Sequence, residues 1–163
     1  MSISIQPAVM EDFPKIWEIF RLIIKPGDTV PFAPDTSFDE AKDIWMGHGH
    51  YFYKVMLEGI IVGTYNIKPN FPGLGSHVAN GSYMVHPEHQ GKKIGYQMIM
   101  HSLEEAKRLG FKAMQFNLVV STNIPAIKLY QKVGFKIVGQ LPKAFNHMQL
   151  GYVDAYVMHR FLE

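Results

Sequence analysis

Val85-His86-Pro87-Glu88-His89-Gln90-Gly91-Lys92-Lys93-Ile94-Gly95 is the stretch from which the fold can be read. The residues leading into it, His77 to Val85, predict a strand, and Pro87 keeps that strand from continuing inside a sheet. From Gly91 to Leu109 the period becomes helical. Ile94, Met98, Ile99, Leu103, Ala106 and Leu109 share one face, and Gly110 supplies the C-terminal stop. A strand therefore runs into a long helix through a turn holding Gly91, Lys92, Lys93 and Gly95. The first N–H groups of a helix have no acceptor within it, and the helix dipole adds partial positive charge there, so such a turn suits a pyrophosphate. Gly91 and Gly95 let the backbone approach a ligand closely, and Lys92 and Lys93 add charge. An ordinary βα turn with surface lysines accounts for the same residues, and neither GxGxxG nor GxxxxGK[ST] is present.

Downstream, Lys112–Val120 reads as a strand apolar enough for a buried central position. Ile124–Val133 reads as a helix with Pro125 in its first turn and Gly134 at its end. The two strand–helix units, 77–109 and 112–133, follow one another directly, which favours right-handed crossovers with ligands near the carboxyl ends of the strands. Phe135–Leu141 and Tyr152–His159 complete the strands. Upstream, residues 3–5 form a short strand. Phe13, Ile16, Trp17, Phe20 and Ile24 recur at helical spacing within Glu11–Ile24. Gly27–Phe38 is a loop of a length that is often functional. Phe38–Met46 is a second helix, and Tyr51–Leu57 and Ile60–Lys68 form a hairpin turning at Glu58-Gly59. The expected architecture is one α/β domain spanning 1–163, with a mixed sheet of about six to seven strands flanked by about four helices.

Asn123 and Tyr130 lie about two helical turns apart, on one face of the Ile124–Val133 helix. Taken alone, Asn123 reads as a plain N-cap and Tyr130 as half-buried packing. Together with the Val85–Gly95 turn they match a known pattern: Val85-x-Pro87, Gln90-x-x-x-x-Gly95, Asn123-x-x-Ala126, Leu129-Tyr130 and Gly134-Phe135. From Val85 to Phe135 the chain resembles the GCN5-related N-acetyltransferases (GNAT). One departure is Lys93, where the family usually has glycine. The resemblance implies a GNAT-like fold and acetyl-CoA as co-substrate. Pantetheine would pair with the strand at Tyr83, Met84 and Val85, between strands that splay apart. The pyrophosphate would lie on the amides of Gln90, Gly91, Lys92, Lys93, Ile94 and Gly95. Asn123 would contact the pantetheine arm, and Tyr130 would protonate the departing thiolate.

The resemblance is finer in two places. Ala79-Asn80-Gly81-Ser82 and Gln115-Phe116-Asn117-Leu118 are similar to segments of fungal acetyltransferases acting on proline analogues such as azetidine-2-carboxylate, as are Pro142-Lys143-Ala144 and Tyr152-Val153-Asp154-Ala155. In that group the asparagines matching Asn80 and Asn117 hold the acceptor's carboxylate; otherwise both asparagines satisfy backbone groups of an irregular strand. The loop with Phe32 would wall the acceptor. Some relatives carry a catalytic glutamate where this chain has Leu118. The base is therefore expected to be water, ahead of His86, His147 or Asp154.

The composition is that of an ordinary globular domain: 163 residues, 47% hydrophobic, 18% charged and a net charge of +2. That charge gives no case for nucleic acid. The absence of cysteine excludes an acyl-cysteine intermediate, so direct attack in a ternary complex is expected. His48/His50 and His86/His89 have spacings that could hold a metal, but no further ligand set accompanies them, and no metal is expected. With no basic n-region and no long apolar run, the chain is expected to be cytoplasmic and not membrane-bound. The expected activity is acetyl transfer to a small-molecule amine, with an amino acid or proline analogue among the candidates. The alternatives are a protein lysine or N-terminal acetyltransferase and a non-catalytic acyl-CoA sensor. Monomer and homodimer both remain open.

Overall fold

The computed structural model describes residues 2–163. Seven strands form one mixed sheet in the order β1-β2-β3-β4-β5-β7-β6. They are β1 (Ile3–Pro7), β2 (Tyr51–Leu57), β3 (Ile60–Pro69), β4 (Val78–Val85), β5 (Ala113–Val120), β6 (Lys136–His147) and β7 (Gly151–Phe161), with α1 (Phe13–Ile24), α2 (Phe38–Met46), α3 (Ile94–Arg108) and α4 (Ile124–Lys132). Every neighbouring pair is antiparallel except β4 and β5. Among the described residues no helix is long and apolar enough to cross a membrane.

Two apolar layers sandwich the sheet. On one face Phe13, Ile16, Phe20 and Ile24 of α1 and Trp45 of α2 pack towards Met84 of β4. On the other, Met98, Ile99 and Leu103 of α3 and Ile127 of α4 cover Tyr65, Ile67 and Met114. The alternation of β3 divides its side chains between these layers. Tyr65 and Ile67 face α3. Thr64 and Asn66 face α2, where Thr64 Oγ1 accepts from the Trp45 indole at 2.8 Å and the Asn66 amide donates to the Trp45 carbonyl at 3.1 Å.

Two expectations need correction. The long helix begins at Ile94, not Gly91, because Gly91 (φ 77°) and Lys93 (φ 62°) take left-handed backbone and His89 closes a 3₁₀ turn from Pro87. The strand predicted to end at Leu141 runs on to His147, whereas the last strand, Gly151–Phe161, stays close to the predicted Tyr152–His159. β6 is an edge strand, where Pro142 removes no needed ladder bond. A register shift between Leu141 and Phe145 also absorbs Lys143 at φ 49°. The Glu58-Gly59 hairpin turn has positive φ at both residues, the type I′ geometry that matches strand twist.

Candidate functional site

The parallel β4–β5 ladder is short: Val78, Ala79 and Asn80 pair with Ala113, Met114 and Gln115, and there it stops. Beyond that point each strand follows a different partner. β4 stays in register with β3 up to Val85 opposite Gly63. β5 stays with β7 but carries a bulge between Phe116 and Val119, which bends it away. The two strands part like a V.

The V leaves one edge of β4 unpaired. His86 N–H donates to Val62 O on β3 at 2.8 Å. Antiparallel alternation then turns the N–H and C=O of Val85, and those of Tyr83, towards the opening. The Val85 carbonyl on that side accepts from the Gln90 side chain at 3.4 Å. The Tyr83 side chain leaves the opening and points to α3, where its hydroxyl meets Ser102 Oγ at 2.6 Å. A Cβ on Gly81 would come within 2.9 Å of that hydroxyl, so a larger residue there would have to push the Tyr83 ring aside.

Two cavities meet in the V. The larger, of about 700 Å³, runs between the α3 and α4 N-terminal ends and is lined by Val85, His89, Gln90, Gly91, Lys93, Ile94, Gly95, Tyr96 and Lys132, among others. The N–H groups of Ile94, Gly95 and Tyr96 precede the first intrahelical bond, Gln97 N–H to Lys93 O, and so have no acceptor in the helix. Lys93 keeps the left-handed backbone that a glycine would adopt freely, at a cost of about 1–2 kcal/mol. A Cβ on Gly95 would touch only Leu129, at 3.5 Å, and one on Gly91 would meet nothing within 4 Å. Space stands open above both glycines, although the protein's own packing does not demand it.

The smaller cavity, of about 250 Å³, lies on the α1–α2 face of the sheet. Asn80, Ser82 and Asn117 line its floor with Lys68, and Thr29, Val30, Pro31 and Phe32 of the α1–α2 loop roof it. Phe32 is fixed by stacking on Phe20 at 5.4 Å. Thr29, Val30, Tyr83, Met84, Asn123, Ala126 and Tyr130 line both cavities, so the two open into each other where β4 and β5 part. Tyr130 packs against Phe116 at 4.5 Å, and burial raises its phenol to about 12.

A family model described as the acetyltransferase (GNAT) family matches residues 9–135. The chain belongs to this acetyltransferase family. It is 42% identical over 98 residues to the N-acetyltransferase aca1 of Schizosaccharomyces pombe, which covers 60% of this chain and 47% of that protein. The chain thus spans about half the length of that relative. An L-methionine sulfoximine/L-methionine sulfone acetyltransferase of Pseudomonas paraeruginosa is 28% identical over 151 residues, 88% of this chain and 86% of the relative. The structure of a GCN5-related N-acetyltransferase from Kribbella flavida superposes with a TM-score of 0.92 at 37% identity, covering 98% of each chain. Acetyl-CoA is the co-substrate of the family.

Most residues expected from the GNAT pattern gather here. Tyr83, Met84, Val85, Gln90, Gly91, Lys93, Ile94, Gly95 and Asn123 line the larger cavity, Asn80 and Asn117 the smaller, and Tyr130 both. Lys92 is the exception: it lines neither cavity, and its ammonium lies 3.4 Å from His89 Nδ1. Asn123 occupies the α4 N-cap position but makes no capping hydrogen bond. Three candidate bases are engaged elsewhere. His86 Nδ1 accepts from Glu88 N–H, His147 Nδ1 accepts from Gln149 and Leu150 N–H, and Asp154 accepts from Lys143 N–H and Gln140. Among the described residues no group of three or more His, Cys, Asp or Glu could hold a metal. Lys68, Ser82, Tyr96 and Lys132 were not singled out from the sequence. The signal for Lys68 lay in strand alternation, which puts it on the face of Asn66 and opposite Asn80.

The raised phenols make stability sensitive to alkali. Burial raises Tyr130 to about 12, and burial followed by the hydrogen bond to Glu105 raises Tyr53 to about 12. An unfolded chain ionises its tyrosines near pH 10, whereas these two hold their protons until about pH 12. Their contribution is full below pH 10 and is lost on rising through pH 12, by at most about 1.4 kcal/mol per pH unit and phenol. Urea midpoints should therefore fall from pH 9.5 to pH 11.5, and less steeply for Tyr130→Phe; identical slopes for the two proteins would mean that Tyr130 titrates as an exposed phenol.

Proposed function

We propose that the chain moves the acetyl group of acetyl-CoA directly onto the amine of a small amino-acid-like acceptor. The observation that carries this reading is the junction of the two cavities at Met84, Asn123 and Tyr130, in the V between β4 and β5. The larger cavity suits the long cofactor, and the smaller one, roofed by the Thr29–Phe32 loop, suits a small molecule better than a peptide, which needs an open groove. A relative named for acetylating methionine sulfoximine and methionine sulfone supports an acceptor of that class.

Acetyl-CoA supplies an activated thioester. The unpaired edge of β4 offers backbone pairing at Tyr83 and Val85 to the pantetheine amides. The acceptor-free N–H groups of Ile94, Gly95 and Tyr96 offer donors to the diphosphate, with the α3 dipole and Lys93 adding positive charge. Asn123, free of a capping bond, can turn its amide to the pantetheine arm. The Val85 N–H can donate to the thioester oxygen as negative charge gathers there, an effect worth about 3 kcal/mol per donor.

Tyr130 has a narrower role than that of a simple acid. At about 12 its phenol stays protonated at neutral pH and can donate to the departing sulfur. A thiolate of pKa roughly 8.5 is too weak a base to take that proton outright. The net proton comes from the acceptor nitrogen, which loses one hydrogen as it becomes an amide while the sulfur gains one; Tyr130 passes it across. Among the described residues no carboxylate lines either cavity, and the one lining imidazole, His89, is on the cofactor side. Water therefore takes the ammonium proton that must leave before the nitrogen can attack, while the proton released on forming the amide is the one that passes through Tyr130.

Two substitutions separate these roles. Gly95→Ala fits the free protein and should raise stability by about 0.5–1 kcal/mol. It should also weaken CoA about tenfold or more by calorimetry. Tyr130→Phe should leave CoA affinity unchanged and lower kcat about 10²-fold. Unaltered CoA binding by Gly95→Ala would remove the diphosphate from this turn, and unaltered kcat would remove Tyr130 from proton transfer. With water as base, kcat/KM should rise about tenfold per pH unit and level off at the acceptor amine's own pKa. Two acceptors of different basicity should then level off at different pH values; a shared break would reveal a protein base.

A further inference from the structure

Among the described residues one charged side chain, that of Lys68, lines the smaller cavity. Lys68, half-buried near the end of β3, lies on the face of Thr64 and Asn66 and stands opposite Asn80 in the β3–β4 register. No aspartate or glutamate among the described residues lines that cavity with it. The four ion pairs found among the described residues involve Lys15, Lys54, Lys107 and Arg108, not Lys68.

The asparagines beside it are neutral and partly committed. The Asn80 amide donates to Gln115 O at 3.0 Å. The Asn117 amide donates to Asn70 Oδ1 at 2.7 Å, while Asn117 Oδ1 accepts from Gln115 Nε2 at 3.0 Å. An amide NH₂ has two hydrogens, so each asparagine keeps one to offer. Such donors can orient a carboxylate but cannot balance its charge. An anion drawn from water into a partly enclosed cavity is costly without a counter-charge.

We propose that Lys68 is the charge-selecting residue of the acceptor cavity. It admits acceptors that carry a carboxylate beside the amine and disfavours polyamines and other acceptors that bring a second positive charge. The inference rests on the small-acceptor reading above and adds to it the source of selectivity. Lys68 supplies the charge, while Asn80 and Asn117 fix the direction of the carboxylate.

The test compares wild type, Lys68→Met and Lys68→Arg by thiol release from acetyl-CoA. The acceptors are L-azetidine-2-carboxylate, L-methionine sulfone, the carboxamide of each, and spermidine. Wild type should prefer each free acid to its carboxamide. Lys68→Met should raise KM for the acids about 10- to 100-fold and leave the carboxamides little changed, which erases the preference. Lys68→Arg should restore much of it. CoA affinity, measured by calorimetry at the larger cavity, which Lys68 does not line, should be equal in all three and so reports intact folding. If Lys68→Met keeps the acid-over-amide ratio of wild type, the role of Lys68 is overturned while the small-acceptor reading stands. If wild type binds CoA but acetylates none of the acids or carboxamides, that reading fails and this inference with it. Spermidine as the best acceptor of wild type would overturn the charge selection directly.

Discussion

The parting of β4 from β5 after the Asn80–Gln115 pair is the constraint on which the rest of the site depends. Two neighbouring strands that stay bonded leave no room for a ligand between them and no spare main-chain donors. Here β4 keeps its register with β3 while the bulge at Phe116–Val119 carries β5 off with β7. The separation frees the Val85 N–H, opens a passage between the faces of the sheet, and lets the two cavities share Tyr130. The bulge also contains Asn117 and so turns the same local irregularity towards the smaller cavity.

The roof of that cavity is held from the far end of the sheet. Met148, in the β6–β7 turn, donates its N–H to Gly27 O at 3.0 Å. Gly27 has a φ of 63°, and a Cβ there would collide with the Met148 side chain. The turn is itself set by His147, whose Nδ1 accepts from two following N–H groups. A loop without regular structure is thus positioned by the longest hairpin of the fold, and the Thr29–Phe32 wall inherits that position.

Much of this could be read in advance where one local rule dominated. The α3 stripe, the Gly110 stop and the Glu58-Gly59 turn each follow from short-range periodicity or backbone preference, and each stands where expected. The Asn123/Tyr130 pairing was legible for the same reason, because helix geometry fixes what shares a face. The misses arose where tertiary context overrode local pattern. Lys93 adopts a backbone that lysine rarely takes, which delays the helix start, and Pro142 sits within a strand because that strand is an edge. His147, a candidate base ranked behind water, has its Nδ1 engaged by the β6–β7 turn, a contact that no local pattern announces. In the sequence Lys68 reads only as the last residue of the Ile60–Lys68 strand, and the packing of the α1–α2 loop over that face is what encloses it.

A crystal structure with acetyl-CoA bound measures the central claim most directly. The account predicts the diphosphate on the N–H groups of Ile94 and Gly95, the thioester oxygen within hydrogen-bond distance of the Val85 N–H, and the sulfur within reach of the Tyr130 hydroxyl. A cofactor bound outside the V, or one whose thioester lies remote from both Val85 and Tyr130, would contradict it.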